Sequence, residues 1–336
     1  MSDHLLILPH LRVQNANAIS SPLTWGFPAM TAFIGLMHAL ERHLHNEGID
    51  LHLKAIGVVC HNATPQTDRS NYGIHHFLQT RNPLKSDGKT AAIVEEGRIH
   101  LELSLVLRVS GTACHGTNDE RQRVADHIDQ RLHRMRIAGG SVLERPSTLP
   151  KRQRVPTLEP LETDRDSELH HRQLRTLRRK VLPGFALILR DDVLNEHQQH
   201  MAKTTHPDAT TLDAWLDLSR LNYCYVEGAP EKKRWQQTRK RLGWLVPIPV
   251  GYSALNEVIS ANDINNARDP NTPLCFVEPL LSIGEWRSPH RITQIDEMLW
   301  RVKPSSSSDP RLFLLEMCTN THASTDDLPD FEDDTY

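Results

Sequence analysis

The chain has 336 residues, 38% apolar and 24% charged, with a net charge of −3, which allows one large or two ordinary domains and excludes a disordered chain. The charge is uneven: the last eleven residues hold Asp326, Asp327, Asp330, Glu332, Asp333 and Asp334, and without these six the balance is 39 basic to 36 acidic residues, an acidic tail on a mildly basic body. Five scattered cysteines, a start "MSDHLLILPH" with no basic flank, and no long apolar run argue against a disulfide framework, a signal peptide and a membrane span, so a soluble chain in a reducing cytoplasm, without a membrane partner, is expected.

"LLILP" (Leu5–Pro9) predicts a short buried strand that "LRVQ" can continue past a proline kink. After the polar stretch "NANAISSPLTWGF", Pro28 stands where a helix begins. Phe33, Met37, Leu40 and Leu44 then form one helical face, ended by Gly48. Leu51–Cys60 reads as a strand. In 98–109, Ile99, Leu101, Leu103, Leu105, Leu107 and Val109 take the odd positions, while His100, Glu102, Ser104 and Arg108 take most even ones, predicting a strand with one buried face. Thr117 and Glu120 make a capping-box pattern ahead of Val124, Ile128, Leu132 and Met135 on one helical face. Gly139-Gly140 ends that helix, and Ser141–Leu143 can form a further strand. The order β-α-β-β-α-β is the ferredoxin-like order shared by RNA-recognition-motif domains, an α+β class; order alone does not assign a function.

Arg145–Glu168 is proline-rich and charged, a surface connection or insertion. Leu182–Arg190 returns to strand character, and Thr210 caps a short helix carrying Leu212, Trp215 and Leu216. Gly243–Leu255 is apolar but broken by two prolines, which favours an edge strand or rigid loop over a central strand. Ser305–Ser308 marks a linker before the acidic tail.

Two basic segments stand out. In a helix over 169–181, Leu174, Leu177 and Val181 share one side and Arg172, Arg175 and Arg179 the other, a row that can follow a phosphate backbone or simply face solvent. Lys232–Arg241 sets six positive charges around Trp235, which suits single-stranded nucleic acid or a charged loop. The 20 histidines fall into no HExxH or comparable ligand spacing, and there is no CxxC, P-loop or GxSxG. No metal, cofactor or catalytic residue is therefore assigned. The stretch after the first strand differs. Gln14, Asn15, Asn17, Ser20 and Ser21 offer partners for base edges or phosphates, and Trp25 and Phe27 offer faces for stacking. Gly26 permits close backbone approach, and the following helix N-terminus favours a phosphate. The alternative is a capped turn with Trp25 and Phe27 stapled into the core.

"LPHLRVQNANAISSPLTWGFPAMTAFIGLMHAL" resembles the N-terminal signature of the Csy-family subunit that binds the 5′ handle of the guide RNA, the second, Cas-five-type component of type I-F CRISPR (Csy, or Cascade) surveillance complexes. The resemblance recurs, in order, in "TRNPLKSDGKTAAIVEEGRIHLELSL" (Thr80–Leu105), "RIAGGSV" (Arg136–Val142), "LPGFAL" (Leu182–Leu187), "GWLVPIPVGYSAL" and "NARDPNTPLCFVEPLLSIGEWRSPHR" (Asn266–Arg291). It spans roughly residues 5 to 300.

The resemblance implies a non-catalytic RNA-binding scaffold in antiviral defence. It would pair with the large Csy subunit, cap the 5′ handle of the CRISPR RNA, abut the first backbone Csy subunit, and meet target DNA through the assembled complex. It also implies an RNA-recognition-motif-like core with an inserted thumb-like element, for which residues 144–182 and 190–265 are the two candidates. The organisation expected is a core over 1–143, a charged insertion over 144–182, the rest of the core and the thumb over 183–303, and a linker with a disordered acidic tail over 304–336. Within the resembling blocks, the residues whose chemistry suits RNA are Asn15, Asn17, Ser20, Ser21, Trp25, Arg81, Asn82, Lys85, Gly139, Gly140, Arg268, His290 and Arg291. Pro83 and the Asp87-Gly88 turn place Arg81 and Lys85 on a loop suited to phosphate. The alternative function is a metal-independent endonuclease of CRISPR repeat RNA, with His10, His38, His75 or His290 as acid or base.

Overall fold

Strand β1 (His4–Asn17) outruns its apolar stretch because Pro9 bends it without ending it. The chain passes the proline in a bulge between Leu8 and Leu11, where His10 takes φ 47°, and bulges again between Val13 and Ala16, where Asn15 takes φ 58°. Such bulges leave one residue unpaired and re-aim its side chain. The computed structural model that shows this describes residues 2–318 except 71, 82–83, 86, 91–92, 165, 205, 226, 228–234, 238–242, 264–270 and 305–310. Asn82, Arg268, Ser305–Ser308, most of the Lys232–Arg241 cluster and the acidic tail lie outside the described residues.

β1 pairs antiparallel with β3 (Arg98–Ser110), and β3 with β2 (His52–Pro65). The other edge of β1 is shared: β4 (Gly140–Leu143) takes Arg12–Gln14, and β5 (Thr157–Pro160) takes His4–Ile7. The first four strands therefore lie in the order β4-β1-β3-β2, all antiparallel. Helices α1 (Met30–Asn46) and α2 (Asn118–Leu132) cover one face. Phe33, Met37, Leu40, Leu44, Ala125, Ile128 and Leu132 enter a single core with Leu6, Leu8, Leu103, Leu105 and Leu107. The capping box at the start of α2 is present: Thr117 Oγ1 accepts the Glu120 N–H and Glu120 accepts the Thr117 N–H.

The second face is half covered. Helix α3 (Glu168–Val181) buries Leu174, Leu177 and Val181 against Leu5, Ile7, Ala55, Val59 and Val106, together with Ile292, Ile295, Met298 and Leu299. This corrects the one-sided reading of β3. Its alternation holds over residues 98–103 and then stops, and Ser104 and Val106 are both fully buried. Segment 144–182 thus supplies a strand and a core-covering helix.

Beyond β2 the sheet continues through β6 (Phe185–Leu189), β8 (Val277–Arg287), β7 (Leu245–Ala254), β10 (Leu312–Met317) and β9 (Trp300–Val302). Trp300 of β9 pairs with Ile56 of β2, which closes six antiparallel strands into a ring. Trp300 is fully buried, and its Nε1–H donates to Leu187 O at 2.8 Å. Two expectations are corrected here. Gly243–Leu255 holds a strand paired along its length with β8 and with β10 from Gly251 onward; Pro247 and Pro249 precede that second ladder, so neither removes a rung from it. Residues 304–336 are not all linker and tail, since β10 belongs to the ring.

Helices α4 (Asp191–Thr204) and α5 (Thr211–Leu218) are inserted between β6 and β7. They share a small core of Val193, Leu194, Ala214, Trp215 and Leu218 against Leu245 and Ile283. Among the described residues no helix is long and apolar enough to cross a membrane, and the five cysteines are free thiols.

Gly140 fixes the seam between β4 and β1. A Cβ there would stand 2.7 Å from Gln14 O and 2.8 Å from Ala16 N. Those neighbours are backbone and cannot swing aside. Gly140→Val is expected to destabilise the fold by about 1–3 kcal/mol, read as a lower urea midpoint. An unchanged midpoint would mean that the seam is not so close.

Candidate nucleic-acid interface

Among the described residues, α3 leaves the second face uncovered at the end where β1 and β2 finish and β3 begins. There the left-handed bulge turns Asn15 outward. Its N–H donates to His100 Nδ1 at 3.2 Å. Gln66 Nε2 donates to Asn15 Oδ1 at 2.6 Å and lies 2.8 Å from His100 Nε2. Three polar side chains thus form a ledge on open sheet. Sequence reading missed Gln66 and His100. The available signal was the polar run of even positions on β3, on the side away from the core.

A tighter group marks the boundary with the covered half. His10 is buried, and its ring stacks on His61 with centroids 3.9 Å apart and planes 10° apart. His10 Nδ1 lies 2.7 Å from Glu102 Oε1, and its backbone N–H donates to Ser104 Oγ at 2.9 Å. His61 Nδ1 contacts Pro183 O and Nε2 contacts Ser104 Oγ, each at 2.6 Å. Because Pro183 O can only accept, Nδ1 carries the proton, and Nε2 accepts from the hydroxyl.

Burial, aided by the neighbouring His10, pushes the His61 pKa down to about 4 from its ordinary 6.5. The unfolded chain therefore binds more protons than the folded one between those values. This contribution to stability is present above pH 6.5, is lost as pH falls to about 4, and levels off below. His61→Gln is expected to flatten the fall of the unfolding midpoint across this window; superimposable pH profiles would contradict it. His4, also lowered by burial, accounts for part of the slope that remains.

Next to the ledge, Ile19–Ser21 and Thr24–Trp25 form a small hairpin. Most polar groups of the opening stretch serve that hairpin. Asn17 Nδ2 donates to Ile19 O at 2.7 Å, and Asn17 Oδ1 accepts the Ile19 N–H at 3.1 Å. Ser20 Oγ donates to Thr24 O at 3.1 Å. Ser21 is buried, and its Oγ accepts the Leu23 and Thr24 N–H groups. Trp25 remains 61% exposed, edge-on to Phe77 at 5.4 Å. Phe27 instead packs between Phe33 and Trp286 at the core margin.

The other nominated residues divide by location. Gly139 (φ 80°) and buried Gly140 belong to the hairpin joining Arg136–Ile137 to β4, and Asn17 N–H donates to Ala138 O at 2.9 Å, so this turn adjoins the ledge. Arg81 ends a strand, Gln79–Arg81, paired with Ile93–Glu95, rather than sitting in a loop; Lys85 is exposed in the turn beyond. His290 and Arg291 are exposed on the turn Pro289–Arg291, which is tied to α3 by Arg178 donating to Pro289 O and Ile292 O. On α3 itself, Arg172, Arg175 and Arg179 are exposed in a row. His10, His38, His75 and His290 lie on four separate elements, β1, α1, the strand His75–Phe77 and the turn after β8. Of the nominated residues Asn15 stands in the ledge, Asn17, Ser20, Ser21 and Trp25 lie in or next to the hairpin after it, Gly139 and Gly140 lie in the turn before β4, and His290 and Arg291 stand beside α3.

Such a surface offers amide and imidazole groups on a sheet end, and the hairpin that follows β1 adds an exposed indole. Comparison with known proteins is consistent across the chain. Residues 6–313 match the family model of the CRISPR-associated protein (Cas_Csy2). The CRISPR-associated protein Csy2 of Pseudomonas aeruginosa (strain UCBPP-PA14) is 45% identical over 306 residues, covering 89% of this chain and 91% of that protein.

Proposed function

The chain belongs to the Csy2 family of CRISPR-associated proteins, and from that membership we propose that it is a non-catalytic subunit of a type I-F Csy complex that holds the 5′ handle of the CRISPR RNA. It does so with the large Csy subunit, next to the first backbone subunit, and meets target DNA only through the guide. The observation that carries the reading is the ledge of Asn15, Gln66 and His100 at the sheet end, with Trp25 exposed in the hairpin that follows β1. Asn15 and Trp25 both lie within the N-terminal block, Leu8–Leu40, that resembles the family signature.

In this reading residues 4–143 are a ferredoxin-like, RNA-recognition-motif-like core, supported by the strand order β4-β1-β3-β2 with both helices on one face. Bases meet the open half of the other face. Asn15 reads a base edge and Trp25 stacks on a base face. Asn17, Ser20, Ser21, Gly139 and Gly140 shape the ledge. Arg81, Asn82 and Lys85 take phosphates, which fix register without reading sequence. Arg268, His290 and Arg291 are assigned to phosphate or to the large subunit. Of the two candidates for the inserted thumb-like element, 190–265 is favoured, since helices α4 and α5 form their own small core between β6 and β7.

The test is co-expression with the large Csy subunit and a CRISPR RNA, purification through this chain, and crosslinking. Retained RNA crosslinked near Trp25 is expected. An RNA-free heterodimer, or crosslinks confined to other elements, contradicts the assignment.

A further inference from the structure

At the far end of the sheet from the ledge, where β2 begins and β3 ends, three side chains converge that RNA binding does not use. Glu41 and His45 lie one turn apart on α1, and residues 47–51 bring the chain back to place His52 first in β2. One carboxylate oxygen and two imidazole nitrogens, one from each residue, all lie within 4.8 Å of one another. We propose that Glu41, His45 and His52 bind a divalent transition metal of the zinc class.

The groups behind these three side chains distinguish the cluster from an ordinary surface ion pair. Glu41 Oε2 accepts the Leu53 N–H at 3.3 Å, leaving Oε1 toward His52 Nδ1 at 3.1 Å. Asp50 Oδ2 accepts both the N–H and the O–H of Thr112, at 2.9 and 2.7 Å, leaving Oδ1 toward His52 Nε2 at 3.5 Å. With Nδ1 of His52 on the metal, Nε2–H would face Asp50, the carboxylate support that usually orients a metal-bound imidazole. The metal replaces the Glu41–His52 hydrogen bond and uses both of those atoms.

His45 supplies the third ligand. Its ring stands edge-on to His52, centroids 5.2 Å apart, and its nitrogens have no hydrogen-bond partner among the described residues. His45 and His52 are exposed, so an ion can enter without opening the fold. One carboxylate and two imidazoles form a donor set typical of zinc with one position left for water or another ligand. Two nitrogen donors disfavour magnesium and calcium. The bound ion would clip the last turn of α1 to the start of β2, and its binding free energy would add to the stability of the fold. The motif escaped sequence reading because the ligands span a helix end, a turn and a strand start.

The experiment is calorimetric titration of the chelator-stripped full chain with zinc chloride, alongside His45→Ala, His52→Ala and, as a control elsewhere on α1, His38→Ala. One zinc per chain is expected, with a raised unfolding midpoint. Both effects should weaken about tenfold or more in His45→Ala and His52→Ala and persist in His38→Ala, with circular dichroism unchanged throughout. No zinc binding by the wild-type chain, or equal binding by all four proteins, overturns the site.

Discussion

Glu285→Ala is expected to destabilise the protein by about 3–5 kcal/mol. The Glu285 side chain is 4% exposed and lies between two guanidinium groups that are also nearly buried. Arg287 Nη2 donates to its Oε2 at 2.8 Å and Arg287 Nε to its Oε1 at 3.2 Å, while Arg190 Nη1 donates to Oε2 from the end of β6. Arg190 retains Asp192 at 3.0 Å, but Arg287 would keep no anion among the described residues. Removing the carboxylate strands positive charge in a low-dielectric site, a cost larger than the attraction that is lost.

The same site joins the ring to the α4–α5 insertion, because Arg190 donates both to Glu285 and to Asp192 in the first turn of α4, while Glu285 itself pairs with Ile188 of β6 and Leu245 at the start of β7. Urea unfolding of Glu285→Ala should therefore show a strongly lowered midpoint. Replacing Arg190, Glu285 and Arg287 together by methionine should cost less than Glu285→Ala alone. A loss below about 1 kcal/mol for the single variant would show that the three groups are not buried as a unit.

Trp25→Ala is expected to weaken binding of the native 5′ handle by about 1–3 kcal/mol, roughly 5- to 150-fold, with little change in folding stability. The indole is mostly exposed, and its ring contact is the edge of Phe77. Asn15→Gly gives a companion test: glycine tolerates the φ of 58° at that bulge, so the side chain is removed without backbone strain. The measurement is RNA affinity of the heterodimer with the large subunit, paired with thermal unfolding. An equal loss in both readouts would assign Trp25 to packing, and an unchanged affinity would remove it from the interface.

Sequence made the first half of the fold legible because its signals are local. The step of Phe33, Met37, Leu40 and Leu44 defines α1, Thr117 and Glu120 define the start of α2, and the alternation from Ile99 to Leu103 defines the open part of β3. The ring could not be read in the same way. Trp300 meets Ile56 across 244 residues of chain, and β10 follows a serine run that reads as linker. Strand partners are chosen by non-local packing, which periodicity does not encode.

The stretch that leads into the candidate ledge stood out in composition, but the arrangement of its side chains did not. Composition marked the stretch from Gln14 to Phe27, yet it could not separate an amide that faces outward from one bonded to its own backbone. Asn17, Ser20 and Ser21 serve the hairpin, while Asn15 stands outward only because the bulge turns it. Gln66 and His100 join it from β2's end and from β3, a neighbourhood that exists only after the sheet forms.

The most direct measurement is the affinity of the heterodimer of this chain and the large Csy subunit for RNA carrying the native handle, against the same RNA with the handle scrambled, at one fixed salt concentration. The native handle is expected to bind at least about tenfold more tightly, consistent with base contacts added to phosphate contacts. Equal affinity for the two RNAs would contradict handle recognition by this subunit.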